Sequence, residues 1–346
     1  MDSEELTQLS YLKIFPDQKM KLFLRLSLIT AGFTLIFIIV FISWFWICYN
    51  AVVTINPKKR VIIDRGMGIA SISIKLADAG VINNPLVFRI GAQFDGLSKK
   101  LRAGEFHFAA GLSAREVAQH IAAGQIVQRR LTIPEGLSSA QIIDMVNNAT
   151  GLVGTIRLKS IAEGSLFPDT YFYVWGDSRK ALILRMEKLM KKAVAEQWEN
   201  LSPKSILKTK EELQILASII EKETGVNAER ARISAVFQNR LRRGMRLQSD
   251  PTVVYALTRG KRRLNRRLTY ADLRKNSPYN TYLHHGLPPA PIASPGYDSL
   301  RAAAQPLVSK ELYFVADGMG GHAFARTLKD HNRNVAKWRR KRGKVN

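Results

Sequence analysis

A single cysteine among 346 residues rules out an intramolecular disulfide. Six histidines are scattered without HExxH or paired-cysteine spacing, which leaves a zinc site without support. No GxxxxGK[ST] occurs and no GxGxxG follows a strand, so the chain offers no phosphate-cradling loop. Disulfide scaffolds, P-loop enzymes and ordinary dinucleotide enzymes are excluded, and neither cofactor nor metal is expected. Acid is scarce as well: 28 Asp+Glu stand against 53 Lys+Arg, a formal charge of +25. Apolar residues are not scarce. At 46% hydrophobic and 9% aromatic, the chain can build folded cores. Its length suits two or three units.

The longest apolar run, Leu26 to Cys48, carries no charge. Its roughly 23 residues reach across an apolar layer of about 30 Å when helical. Trp44, Trp46 and Tyr49 stand at its end, where an aromatic belt would lie. The run is too long for a signal peptide, and no small-x-small cleavage site follows it. A buried core helix is the alternative. Lys13, Lys19, Lys21 and Arg25 precede the span and Lys58, Lys59, Arg60 and Arg65 follow it, so the positive-inside count does not decide orientation. The expected order is a leader at 1–25, a transmembrane helix at 26–49 and a linker at 50–65.

Anionic lipid, an anionic polymer or nucleic acid could answer the charge. One basic cluster comprises Arg259, Lys261, Arg262, Arg263, Arg266 and Arg267; a second runs from Lys337 through Arg339, Arg340, Lys341 and Arg342 to Lys344. Neither interleaves the aromatics of a single-strand stacking platform, and both read as solvated surface.

Two similar segments follow, GLSAREVAQHI at 111–121 and GLSSAQIIDMV at 136–146, with Ser113 and Ser138 at N-cap positions. A looser relative begins at Gly66 and ends near Gly80, a helix C-cap. Strand-like EFHFA (105–109) and VQRRLTI (127–133) fall between them. The pattern predicts a small α+β module at 66–150. From Gly151 to the C-terminus the texture changes, with helices expected at 180–200, 211–224 and 228–243, then turns rich in Pro and Gly, and a strand and turn at 312–318.

The segment EELQILASIIEKETG was placed on a helical wheel at about 100° per residue. Glu223 lies within roughly 80° of Leu213, Ile215, Leu216, Ile219 and Ile220, on the apolar stripe. Gln214, Ser218 and Glu221 fall opposite, so Glu221 is expected at the surface. Burial of a carboxylate raises its pKa unless a cation compensates, and a raised glutamate holds the proton a general acid needs. The bland alternative is an ion pair with Arg240 or Arg246, or a frayed helix end. Downstream, Gln248, Asp250, Tyr255, Tyr279, Asn280 and Thr281 combine amides, hydroxyls and aromatic faces able to grip a sugar; turn chemistry explains the same residues equally well.

The segments ASIIEKETG (217–225), ERARISAVFQNRLRRGMRLQSDPTVVYAL (229–257), SPYNTYLHHGLPPAPIASPG (277–296) and LYFVADGMGGHAF (312–324), with EGSLFPDTYFY at 163–173, resemble the YceG-like (MltG) family of membrane-anchored endolytic murein transglycosylases. The resemblance covers nearly the whole chain. It implies an α+β protein with one N-terminal transmembrane helix, a LysM-like glycan-binding module at 66–150 and an α+β catalytic domain at 151–346, residues 131–150 being assignable to either. It implies a single-pass bacterial inner-membrane protein, N-terminus cytoplasmic and catalytic domain periplasmic. Such enzymes cut peptidoglycan between N-acetylmuramic acid and N-acetylglucosamine to leave a 1,6-anhydro end. The family's catalytic glutamate falls on Glu223, and the partners implied are glycan strands, membrane lipid and peptidoglycan synthases, with no nucleic acid. The arginine cluster at 259–267 departs from the family pattern, where a less charged stretch stands, and bears on substrate docking rather than on the catalytic helix.

The reaction needs one carboxylate rather than two, because the substrate's own C6 hydroxyl replaces water. Gln248, Asp250, Tyr279, Asn280 and Thr281 are the expected substrate-binding set. Three rivals stand beside this reading: a muramidase using Asp250 as second carboxylate, a non-catalytic glycan-binding scaffold, and a membrane-tethered nucleic-acid binder resting on charge alone.

Overall fold

The computed structural model describes residues 17–53 and 59–342, so the leader residues 1–16, linker residues 54–58 and Lys344 lie outside it. The chain divides into two compact units, the first ending at Val127 and the second beginning at Gln128.

The first unit opens with α1 (Asp17–Asn50). Its stretch Met20–Asn50 is long and apolar enough to cross a membrane. The helix ends inside the module that follows. Phe45 and Tyr49 are buried, while Trp44 and Trp46 stay exposed. Tyr49 donates a 3.2 Å hydrogen bond to Asp95, and Arg115 lies 5.3 Å over the Trp46 ring. Tyr49, read in the sequence as part of an interfacial belt, is therefore a core residue. Its ring occupies the space that a side chain at position 91 would fill.

The module itself runs β1 (Lys59–Ile63), α2 (Ile69–Asp78), α3 (Pro85–Phe94), β2 (Gly104–Phe108) and α4 (Ala114–Ala123). The strands pair antiparallel, Val61 opposite Phe106. Val61, Ile63, Phe106 and Phe108 meet Ile72, Leu76, Phe88, Val117 and Ile121 in one core. Each such side chain contributes on the order of 1.5–3 kcal/mol when withdrawn from water. Ser113 caps α4 in a reciprocal box with Glu116. Helix α3, not anticipated, starts at Pro85 with Asn84 accepting from the amides of Leu86 and Val87. Proline at the first helical position needs no amide partner, so Asn-Pro here begins a helix rather than a turn.

The second unit opens with β3 (Arg129–Thr132), paired antiparallel to β4 (Thr170–Tyr173). Between them α5 (Ser139–Asn148) carries the second Gly-Leu-Ser start, with Ser138 in a capping box with Gln141. That helix falls in the 131–150 stretch that the sequence left assignable to either region, and here it lies in the second unit. Ile133, Ile142, Val146, Leu166 and Tyr171 pack with Leu182 and Met186 of α6 (Arg179–Glu199).

A further core forms around α7 (Lys210–Glu223), against α8 (Arg230–Arg242), α9 (Asp250–Thr258) and α11 (Tyr297–Ala304), with short α10 (Tyr270–Leu273) beside α9. The hairpin β5 (Tyr313–Ala316) and β6 (His322–Ala325) lays Phe314 edge-on to Phe237, and α12 (Leu328–Arg342) closes the chain. Helix α9 lies in the region after residue 243 where turns rich in Pro and Gly are expected; Pro251 occupies its first turn.

Candidate active site

Helix α7 is capped by Thr209, whose hydroxyl accepts from the Glu212 amide. It runs to Glu223 through a face of Leu213, Leu216, Ala217, Ile219 and Ile220, all buried. The helix ends there because Thr224 turns to extended backbone. Glu223 is half-buried at that end. Burial pushes its carboxyl up to about 7; the Ser249 hydroxyl and Arg240 oppose this, and the Asp250 carboxylate adds to it.

The loop before α9 is built to present Ser249 and Asp250. The Ser249 hydroxyl donates to Glu223 Oε1, and its amide donates to Thr281 Oγ1 at 3.0 Å. Gln248, one residue earlier, has φ of 50°, and its amide donates to the Thr281 carbonyl at 3.1 Å. A non-glycine residue in that left-handed region carries strain, which persists where neighbouring bonds over-determine it. Thr281 also shares a 2.8 Å hydrogen bond with Thr252, so one buried threonine clamps both ends of the 248–252 turn. Tyr282 donates to Asp250 Oδ1 at 2.6 Å.

The expected substrate residues thus divide. Glu223, Ser249, Asp250 and Tyr282 form one connected group, and Gln248 is exposed beside it. Asn280 is completely buried; its amide donates to the carbonyls of Leu273 and Lys275, and its oxygen accepts from the Tyr282 amide. Those bonds shape the loop that holds Tyr282. Tyr279 packs 4.8 Å from Tyr255, with Arg259 4.9 Å over its face. Ser249 and Tyr282 escaped the sequence reading, although Ser249 directly precedes Asp250 and Tyr282 directly follows Thr281.

The wheel's opposite face requires correction. Glu221 was expected at the surface, yet its side chain is only 6% exposed and pairs with Arg230 at 3.1 Å. It also accepts from the Gly296 amide at 2.9 Å. Ser218 accepts from the Ile292 amide and Gln214 donates to the Gly164 carbonyl. The Pro-rich 286–296 segment and α11 cover this face, so its polar groups meet protein rather than water. Arg240, offered as an ion-pair partner, instead donates to the carbonyls of Leu312 and Leu247, at 2.6 and 2.7 Å, and acts on Glu223 through its charge.

A groove of about 890 Å³ borders this group, with Lys222, Asp250, Val254, Tyr255 and Ile292 in its wall. Among the described residues no three His, Cys, Asp or Glu side chains come together as a metal-binding group. Chemically, the site offers one carboxyl able to hold a proton near neutrality, beside a second carboxylate tied to a phenol.

Comparison with known proteins agrees with this architecture. The YceG-like family matches residues 61–337. An endolytic murein transglycosylase of Bacillus subtilis is 30% identical over 306 residues, covering 80% of this chain and 83% of that protein. One from Streptococcus pneumoniae is 30% identical over 330 residues, covering 81% of this chain but 59% of its own longer sequence. The crystal structure of a yceG-like protein from Listeria monocytogenes superposes with a TM-score of 0.50 at 31% identity, covering 80% of this chain and 98% of that one. With its motifs, its helices and most of its length shared in this way, the chain belongs to the YceG-like family.

Proposed function

We propose that the protein is an endolytic lytic transglycosylase that cleaves the bond between N-acetylmuramic acid and N-acetylglucosamine in peptidoglycan glycan strands. The observation that carries this is Glu223, a carboxyl raised to about 7 by burial at the end of an apolar helix. Protonated Glu223 donates to the glycosidic oxygen as the C1–O bond breaks. The C6 hydroxyl of the muramyl residue then attacks C1, and its proton passes to the Glu223 carboxylate. The acid is thereby regenerated and a 1,6-anhydro end is left. No water is consumed, and intramolecular attack supplies much of the acceleration.

Ser249 and Asp250 set the proton affinity of Glu223. Gln248 and Tyr279 contact the sugar, while Asn280 and Thr281 act by holding the 248–252 turn and Tyr282 in place. The first unit, in which two antiparallel strands flank helices α2 and α3 and α4 follows, is a LysM-like module that binds the same glycan. Helix α1 anchors the protein in the cytoplasmic membrane, N-terminus inside, with the catalytic unit periplasmic and beside peptidoglycan synthases, where it terminates nascent strands.

The test is mass spectrometry of purified strands after incubation with the full-length chain in detergent. Anhydro-ended fragments are expected from the wild type, with their formation rate reduced about 10²–10⁴-fold in Glu223→Gln. Reducing ends instead would transfer the reading to hydrolysis with Asp250 as second carboxylate. An unchanged rate in the variant would remove Glu223 from the chemistry.

A further inference from the structure

The arginine cluster at 259–267 is the feature that family resemblance leaves unexplained, and the structure gives it a place. Arg262, Arg263, Arg266 and Arg267 all line the groove bordered by Lys222 and Asp250. The segment is held in position. Gly260 accepts a 2.6 Å hydrogen bond from the Ser138 hydroxyl, and a Cβ at Gly260, whose φ is 69°, would meet Ser138 Cβ at 2.5 Å. Arg266 makes a two-pronged pair with Asp272, whose carboxyl it holds well below the usual range together with Thr269. Leu264 and Leu268 turn into the groove wall.

Arg262, Arg263 and Arg267 remain exposed, with no hydrogen-bond or ion-pair partner for their side chains among the described residues. Solvated arginines on an ordinary surface are interspersed with acids. Here the groove's acids are already engaged: Glu135 lies 3.6 Å from Arg230, and Asp250 takes the Tyr282 hydroxyl. Lys222 adds another cation, its own pKa lowered by burial and by Arg263. The result is a pinned wall of unpaired guanidinium groups, which bind carboxylates well, in a groove that also holds Lys222 and Asp250, the chain neighbours of Glu223 and Ser249.

We infer that this wall binds the carboxylates of the stem peptide carried by the muramyl residue, so that the enzyme selects peptide-bearing over denuded glycan. The inference rests on the transglycosylase reading above. The sugar hydroxyls and acetamido groups carry no charge. A denuded strand keeps one lactyl carboxylate per muramyl residue, whereas the stem peptide replaces that group by an amide and brings several carboxylates of its own farther out. Arg262, Arg263 and Arg267 are then specificity residues acting on substrate affinity, while Arg266 serves to position the segment.

The test uses the full-length protein in detergent with two substrates: uncrosslinked strands bearing stem peptides, and the same strands after amidase removal of the peptides, which leaves a single lactyl carboxylate on each muramyl residue in place of the several of the stem. For the wild type, kcat/KM is expected to favour the peptide-bearing strand about tenfold, the scale of three exposed charge pairs acting together. In Arg262→Gln/Arg263→Gln/Arg267→Gln that ratio falls toward one through KM. The corresponding triple Lys variant retains part of it, and raised salt erodes the wild-type ratio. A wild-type ratio near one overturns the inference. So does equal loss on both substrates in the Gln variant, which would make the arginines structural. An effect seen only when phosphatidylglycerol vesicles are added, with the ratio intact, would assign them to membrane phosphate instead. Cleavage of neither strand by the wild type would remove the transglycosylase reading itself, whereas cleavage of denuded strands without preference leaves that reading standing and removes only this one.

Discussion

In the mechanism proposed above, Glu223 ties activity and stability to the same proton. Because the cycle begins with the carboxyl protonated, kcat/KM is expected to fall as pH rises through about 7. Ser249 stabilises the charged form by donating to it, so Ser249→Ala moves that alkaline limb to higher pH, which a pH–rate profile of the purified protein reads directly. A limb that stays put would show that another group titrates. Stability follows from the same shift. The folded protein holds a proton that the unfolded chain releases between 4.5 and about 7, so the carboxylate erodes stability as pH rises across that window. Glu223→Gln carries no such group. It should therefore melt above the wild type at pH 8, by a few degrees, and match it near pH 4.5. Thermal scans at the two pH values decide; a gap that widens toward acid contradicts the assignment.

At the scale of the element, helix α7 shows how far periodicity could be read. The apolar stripe and the outlying Glu223 were legible because a carboxylate among Leu213, Leu216 and Ile220 breaks a simple pattern. The fate of Glu221 was not, because a wheel records which residues share a face and not what covers that face. Its partner Arg230 is buried as well: it donates to Ser299 at 3.0 Å, to Asn227 and to Glu221. Removing one member of a buried pair strands the other, at a cost of about 3–5 kcal/mol. Arg230→Leu should lower the urea midpoint accordingly, and adding Glu221→Leu should recover part of the loss, since the stranded carboxylate is gone. A double variant no better than the single would mean that packing, not the uncompensated charge, dominates. Two helix starts went unread for a related reason. Asn84-Pro85 and Asp250-Pro251 start α3 and α9, and proline reads alike in a turn and at a helix's first residues. Asn280 was legible as a polar loop residue, but its complete burial depends on the carbonyls of Leu273 and Lys275, which no local pattern announces.

At the scale of the molecule, the chain carries separate cores, one in the first unit and two in the second. The first extends into the end of α1, because Tyr49 completes it. Gly91 is the contact that permits this: a Cβ there would lie 2.3 Å from the Tyr49 ring, within α3, where the backbone is helical and glycine is otherwise a cost. Gly91→Ala therefore gains helix propensity of up to about 1 kcal/mol and loses more to overpacking, about 1–3 kcal/mol with the ring displaced. Calorimetry of the full-length protein in detergent should show the variant's first-unit transition at lower temperature and the second-unit transition unmoved. Pairing the change with Tyr49→Leu, which shortens the side chain facing position 91, should return part of the loss. If both transitions fell together, the units would not be energetically separate. If the first rose, Tyr49 would have somewhere else to go, and helix α1 would not be part of the module's core.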